Sequence, residues 1–91
     1  MSHESIKICV PPFGQGLEEV LLIHWAVEPG QEIRRGDAVV EVETAKATQE
    51  VVAERAGVIE SLLAEPGAML NVGDPLYLLQ ISETIDESEK P

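Results

Sequence analysis

The 91-residue chain carries 17 acidic against 6 basic side chains, a formal net charge of -11, and is 44% hydrophobic and 25% charged. That balance excludes nucleic acid as a partner, since phosphate binding needs clustered Lys and Arg, and it favours partners with positive or neutral faces. No stretch approaches the roughly 20 apolar residues of a membrane span. The single cysteine excludes an internal disulfide, and so short a chain builds one domain with a modest core and no deep cleft.

Turn signals punctuate the chain at short intervals, and the runs between them are rich in Val, Ile and Leu but too short for helices, so the protein is expected to be all-β. Residues 1–5 read as a flexible N-terminus without a basic-then-apolar leader, which predicts an untargeted, cytoplasmic protein. The first strand is expected over 6–11, where Cys9 sits between Ile8 and Val10 as a small hydrophobe. PPFGQG then turns the chain into a strand over 19–27, with Trp25 expected in or half in the core and His24 exposed. A short strand at 32–33 lies between EPGQ and RRGD; strands at 38–43 and 48–53 flank Lys46; ERAG leads into 57–64. EPGA and NVGD bracket 69–70, and a last strand covers 76–82. Residues 6–82 form the domain, and 83–91, acidic with one apolar residue, read as a tail or the start of a linker.

An internal duplication runs through these elements. EPGQEIRRGD at 28–37 recurs 37 residues later as EPGAMLNVGD at 65–74, and at the same offset Leu22 maps to Ile59, Trp25 to Leu62, Ile33 to Leu70, Val40 to Tyr77 and Val42 to Leu79. Two copies are too few for a solenoid but suit a barrel or sandwich of two similar halves. In each copy Pro and Gly fit the central positions of a type II turn. In two-fold related halves, the connection between them and the chain ends tend to fall at opposite poles, and that connection is the hairpin carrying Lys46.

The hairpin tip is unusual. Thr44, Ala45, Lys46 and Ala47 connect two strands without Gly, Asn, Asp or Pro, the residues that ordinarily make turns. Val40 and Val42 alternate with Glu41 and Glu43 before the tip, and Val51 lies between Glu50 and Val52 after it, a half-buried pattern of period two. An exposed amine between two alanines is either a solubilising charge or a point of attachment. Of the three lysines, Lys7 lies in the first strand and Lys90 in the tail.

VETAKA at 42–47 and PPFGQGLEEVLLIHWAVEPG at 11–30 resemble the lysine motif and N-terminal pattern of the lipoyl domain of 2-oxo acid dehydrogenase acyltransferases. Gly30, sixteen residues before the lysine, and Gly57, eleven after it, stand at that family's spacings, and the likeness covers about residues 6–82. It implies a flattened β-barrel, or barrel-sandwich hybrid, of two four-stranded antiparallel sheets with quasi-two-fold symmetry. It also implies that Lys46 carries lipoate in amide linkage as a swinging arm. The arm would move acyl groups and reducing equivalents among a thiamin-dependent 2-oxo acid decarboxylase, an acyltransferase core and dihydrolipoamide dehydrogenase, after attachment by a lipoate-protein ligase or lipoyl transferase. Glu43, Thr44, Ala45 and Ala47 would form the recognised hairpin around the modified lysine, with Gly30 and Gly57 as motif glycines. Phe13, Gly14, Gln15, Gly16 and Leu17 would serve partner recognition. The domain itself would be a non-catalytic monomer. Two departures stand out: Ala45 replaces the family's usual Asp, and Gln15 its common Glu.

Other chemistries find little footing. His3, His24 and Cys9 share no metal-ligand spacing, and no deep apolar pocket is expected to perturb the carboxylates. Three readings compete with a lipoyl carrier. A biotin carboxyl carrier would flank its lysine with methionines, a glycine-cleavage carrier would be longer, and an unmodified adaptor module of the same fold would not need the lysine.

Overall fold

The structure is a computed structural model and describes residues 3–82. Eight strands follow in order: β1 (His3–Cys9), β2 (Glu19–Trp25), β3 (Glu32–Ile33), β4 (Ala38–Glu43), β5 (Thr48–Val52), β6 (Gly57–Leu62), β7 (Met69–Asn71) and β8 (Pro75–Ser82). They form two four-stranded sheets, ordered β1-β8-β6-β3 and β5-β4-β2-β7, with every pairing antiparallel. The all-β flattened barrel expected from the sequence is therefore the observed architecture. No helix is long and apolar enough to cross a membrane, and no group of three or more His, Cys, Asp or Glu could hold a metal among the described residues.

Strand bounds agree at β3 and β4 and differ by a few residues elsewhere. The largest difference is at β1, which begins at His3 because Glu4 and Ser5 pair with Ile81 and Gln80 of β8. Residues 3–5 thus belong to a sheet and not to a flexible end; ladder hydrogen bonds to a central strand fix them where their side chains give no apolar alternation. The tail at 83–91 lies outside the described residues. A register shift between Ala38 and Val40 also breaks the period-two pattern of β4, so that Val39 and Val40 are both buried.

The duplication extends to individual hydrogen bonds. Gly30 N–H donates to Ile59 O at 2.7 Å and Gly67 N–H to Leu22 O at 2.8 Å, each the other's image at the 37-residue offset. Ala26 to Val39 and Leu63 to Leu76 form a second such pair, at 2.8 and 3.0 Å. Gln31 N–H reaches Glu28 O and Ala68 N–H reaches Glu65 O, closing the two Pro-Gly turns with Gly30 and Gly67 at φ 89 and 92, the left-handed values type II turns demand. Each sheet borrows from both halves: β3 of the first half edges the sheet of β6 and β8, and β7 of the second edges the sheet of β2 and β4.

Matching carboxylates brace the two other repeated turns. Asp37 Oδ2 accepts from Arg34 N–H at 2.9 Å, and Asp74 Oδ2 from Asn71 N–H at 2.8 Å. Asp37→Ala and Asp74→Ala are each expected to cost about 1 kcal/mol, with the double variant near their sum because the two turns share no hydrogen-bond partner. Denaturant melts of the two singles and the double test this. A double-variant loss far from additive would show that the turns are coupled.

Between the sheets lies a core in which Leu22, Val42, Ile59 and Leu79 are nearly or fully inaccessible, each such side chain worth about 1.5–3 kcal/mol of burial. The halves differ in where they place their aromatic bulk. Trp25 pairs with Val40, and at the equivalent positions Leu62 pairs with Tyr77. The two rings meet edge to face, centroids 6.3 Å apart and planes at 89°, a favoured aromatic geometry. Trp25 is half-buried and its Nε1–H donates to Ala64 O at 3.0 Å.

Burial first, and the Glu54 carboxylate second, push the Tyr77 phenol above its ordinary 10.0. The folded protein then holds that proton to higher pH than the unfolded chain, so this group's contribution to stability is complete below pH 10 and is lost as pH rises beyond it. Denaturant melts on either side of that pH should show a larger fall in the parent than in Tyr77→Phe. Equal falls in both would assign it to other groups.

Candidate functional site

The hairpin of β4 and β5 pairs as far as Glu43 with Thr48, which leaves four residues at the tip. Its turn is made by a hydroxyl. Thr44, only 6% exposed, donates from Oγ1 to Ala47 O at 3.0 Å, and the same oxygen accepts from Lys46 N–H and Ala47 N–H, both at 3.2 Å. Thr44 N–H closes the loop on Ala47 O at 2.8 Å. Threonine thus does what Asn or Asp does in commoner turns, bonding its own main chain. Ala45, Lys46 and Ala47 are all exposed, so the amine stands in solvent between two methyl groups, on a tip fixed from within.

Thr44→Val preserves shape but removes these bonds. It is expected to lower stability by about 1–2 kcal/mol and to speed amide exchange at residues 46 and 47, while Thr44→Ser retains both properties. Thermal melts and hydrogen exchange test this; a valine variant as protected as the parent would leave the hydroxyl without a role.

Beside the tip runs an open groove of about 560 Å³, lined by Gly16, Leu17, Glu18 and Glu19 of the loop and its continuation, Leu21 of β2, Glu43, Thr44 and Ala45 of the hairpin, and Met69 and Asn71 of β7. The loop is held in place: Leu17 N–H donates to Gly14 O at 3.1 Å, putting Gln15 at an exposed corner, and Val72 N–H donates to Glu18 O at 2.9 Å. Leu17, Leu21 and Met69 supply apolar surface, and Glu18, Glu19 and Glu43 supply carboxylates.

The structure thus brings Gly16 and Leu17 of the expected recognition loop together with Glu43, Thr44 and Ala45 of the hairpin. Gly14, Gln15, Lys46 and Ala47 are exposed but outside the groove lining, and Phe13 packs partly buried against the core. Gly30 and Gly57 lie elsewhere, the first in its turn and the second paired with Ile33 of β3; their roles are in the frame. Sequence reasoning missed Glu19, Leu21, Met69 and Asn71. The signal for them was the β2–β7 pairing of Leu21 with Met69 and Glu19 with Asn71, which the 37-residue repeat could have supplied. His24 is exposed, as expected, with Nε2 2.7 Å from Glu41 Oε1.

Known proteins are similar to this chain in sequence and in fold. The family described as Biotin-requiring enzyme matches residues 6–79. The dihydrolipoyllysine-residue succinyltransferase component of the 2-oxoglutarate dehydrogenase complex of Staphylococcus saprophyticus is 33% identical over 93% of this chain and 20% of its own length. The lipoamide acyltransferase component of the branched-chain alpha-keto acid dehydrogenase complex of Pseudomonas aeruginosa is 34% identical over 92% and 20%. The chain therefore spans about a fifth of these curated relatives. Among solved structures, the lipoyl domain of the 2-oxoglutarate dehydrogenase complex of Azotobacter vinelandii superposes with a TM-score of 0.66 at 31% identity, covering 81% of this chain and 94% of that one. With the motif, the repeat and the braced tip in agreement, the chain belongs to the biotin- and lipoyl-attachment family, as a lipoyl domain of the acyltransferase type.

Proposed function

We propose that this domain carries lipoate in amide linkage on Nζ of Lys46 and serves a 2-oxo acid dehydrogenase complex. The observation that carries the reading is the tip itself, an exposed lysine between two alanines in a turn locked by Thr44. Such a site fits an extended acyl chain, because nothing at the tip competes for the amine or crowds an approaching ligase. Once attached, lipoate supplies a disulfide that takes up an acyl group with two electrons and later releases both.

The protein's own residues present and address the arm. Thr44 fixes the direction in which it leaves the domain. Glu43, at the end of β4, marks the hairpin for the lipoate-protein ligase or lipoyl transferase, and the exposed corner around Gln15 marks the carrier for a thiamin-dependent decarboxylase. Ala45 removes a carboxylate usual in the family, so recognition here leans more on Glu43 and on the neighbouring Glu18 and Glu19. The formal charge of -11 suits basic mouths on partner enzymes, including the acyltransferase core and dihydrolipoamide dehydrogenase. Tethering raises the arm's effective concentration at each site to the millimolar range. The domain acts as a non-catalytic carrier in the cytoplasm, since the attached group and the partners hold the chemistry.

Incubation with a competent lipoate ligase, ATP, lipoate and biotin, together with a biotin ligase, followed by intact-mass measurement, tests the reading. One lipoyl adduct per chain is expected. Biotinylation would favour a carboxyl carrier, and no adduct beside a modified control domain would favour an adaptor.

A further inference from the structure

Met69 is a residue that the duplicated frame does not require. It is 62% exposed on the edge strand β7, opposite Leu21. Its image at the 37-residue offset is Glu32, on the edge strand β3 opposite Val58. The frame therefore accepts a carboxylate at this place, and an edge strand gains from one, since charge discourages stray pairing. At residue 69 the protein instead keeps a thioether in water, in the groove beside the lysine hairpin. Leu17 and Leu21 extend that apolar floor, and Ala45, the residue before Lys46, forms part of its wall.

We propose that this groove is a resting seat for the free end of the arm on Lys46, its uncharged dithiolane ring lying against Met69, Leu21 and Leu17 between visits to partner enzymes. The inference rests on the lipoyl reading above. Chemistry matches seat to occupant: a neutral, polarisable sulfur ring gains from contact with a thioether and leucine methyls, whereas the three carboxylates at the rim repel an anionic group. A groove of about 560 Å³ falls in the range of small-ligand sites. Because the ring is tethered one residue from the wall, its local concentration is millimolar, so a weak contact is enough to populate the seat. No bond forms or breaks. At the symmetry-related place Glu32 stands in the position of Met69 and Glu54 in that of Leu17.

Methyl NMR spectra of the full chain before and after lipoylation, with the adduct verified by intact mass, test the seat. The Leu17, Leu21 and Met69 methyl resonances are expected to shift on modification and to show cross-peaks to the dithiolane protons. Val52 and Leu63, exposed apolar residues outside the groove, should stay in place. Met69→Glu, which copies the natural residue of the other half, should shrink the Leu17 and Leu21 shifts severalfold, and Met69→Gln should shrink them less. A lipoylated protein whose shifts are confined to residues 44–47, or whose Leu17 and Leu21 shifts survive Met69→Glu, overturns the seat and leaves the carrier function standing. Failure to acquire the adduct overturns both, and the mass spectrum tells the two cases apart.

Discussion

Protein carrying Lys46→Arg is expected to emerge from a lipoate ligation reaction with its mass unchanged, while the parent gains one lipoyl group. Arginine keeps the charge and roughly the length of lysine, but its guanidinium stays protonated at any working pH and offers no free amine for an amide bond. Among the described residues no hydrogen bond or ion pair involves the Lys46 ammonium, so stability should change by less than about 0.5 kcal/mol. The loss of modification can then be assigned to chemistry and not to unfolding. Lys7 is a poor substitute because it lies within β1, paired with Leu78 of β8, where a ligase meets a sheet and not a tip. Peptide mapping decides the matter: an adduct that persists on Lys7 or Lys90 in the variant would move the attachment point away from the hairpin.

Gly57→Ala is expected to be the most damaging single-methyl change in the frame. A Cβ there would lie 2.6 Å from Gln80 O, 3.0 Å from Leu79 Cγ and 3.1 Å from Leu79 Cδ1. The first contact is main chain of the central strand β8, which cannot turn aside as a flexible side chain can. Either β6 or β8 must shift, and Leu79 is a fully buried core residue. Overpacking of this kind costs about 1–3 kcal/mol, a large share of the few kcal/mol available to a domain of this size. The melting temperature should fall by about 10 °C. Gly30→Ala provides the contrast, since its Cβ would meet nothing within 4 Å and only the positive φ of 89 resists it, at about 1–2 kcal/mol. Thermal melts of both variants test the argument. If Gly57→Ala melted no lower than Gly30→Ala, close approach to β8 would not be what keeps the glycine.

Much of this molecule was legible in its sequence because its turns are chemically explicit. Pro-Gly and Gly-Asp pairs fixed where strands stop, so the short β3 and the whole of β4 were placed to the residue. What escaped depends on partners distant in the chain. The start of β1 is set by β8, some seventy-five residues later. The burial of both Val39 and Val40 comes from a bulge, which no alternation rule foresees. At the site, Lys46 announced itself through its motif, but the means of holding it did not. Thr44 looks like an ordinary strand-end residue until its hydroxyl is seen to bond residues 46 and 47. The groove was invisible for a related reason, since Leu21 and Met69 belong to different halves and meet only through the pairing of β2 with β7.

The exchange of edge strands has a bearing on how the protein is made. The last of the described strands in chain order, β8, is the inner partner of both β1 and β6. While the ribosome still holds that segment, β1 has no ladder to join, and β2 lacks β7 until residue 71 has emerged. The sheet that β8 centres therefore closes only once residues 75–82 have left the ribosome, after the β4–β5 hairpin has already been made.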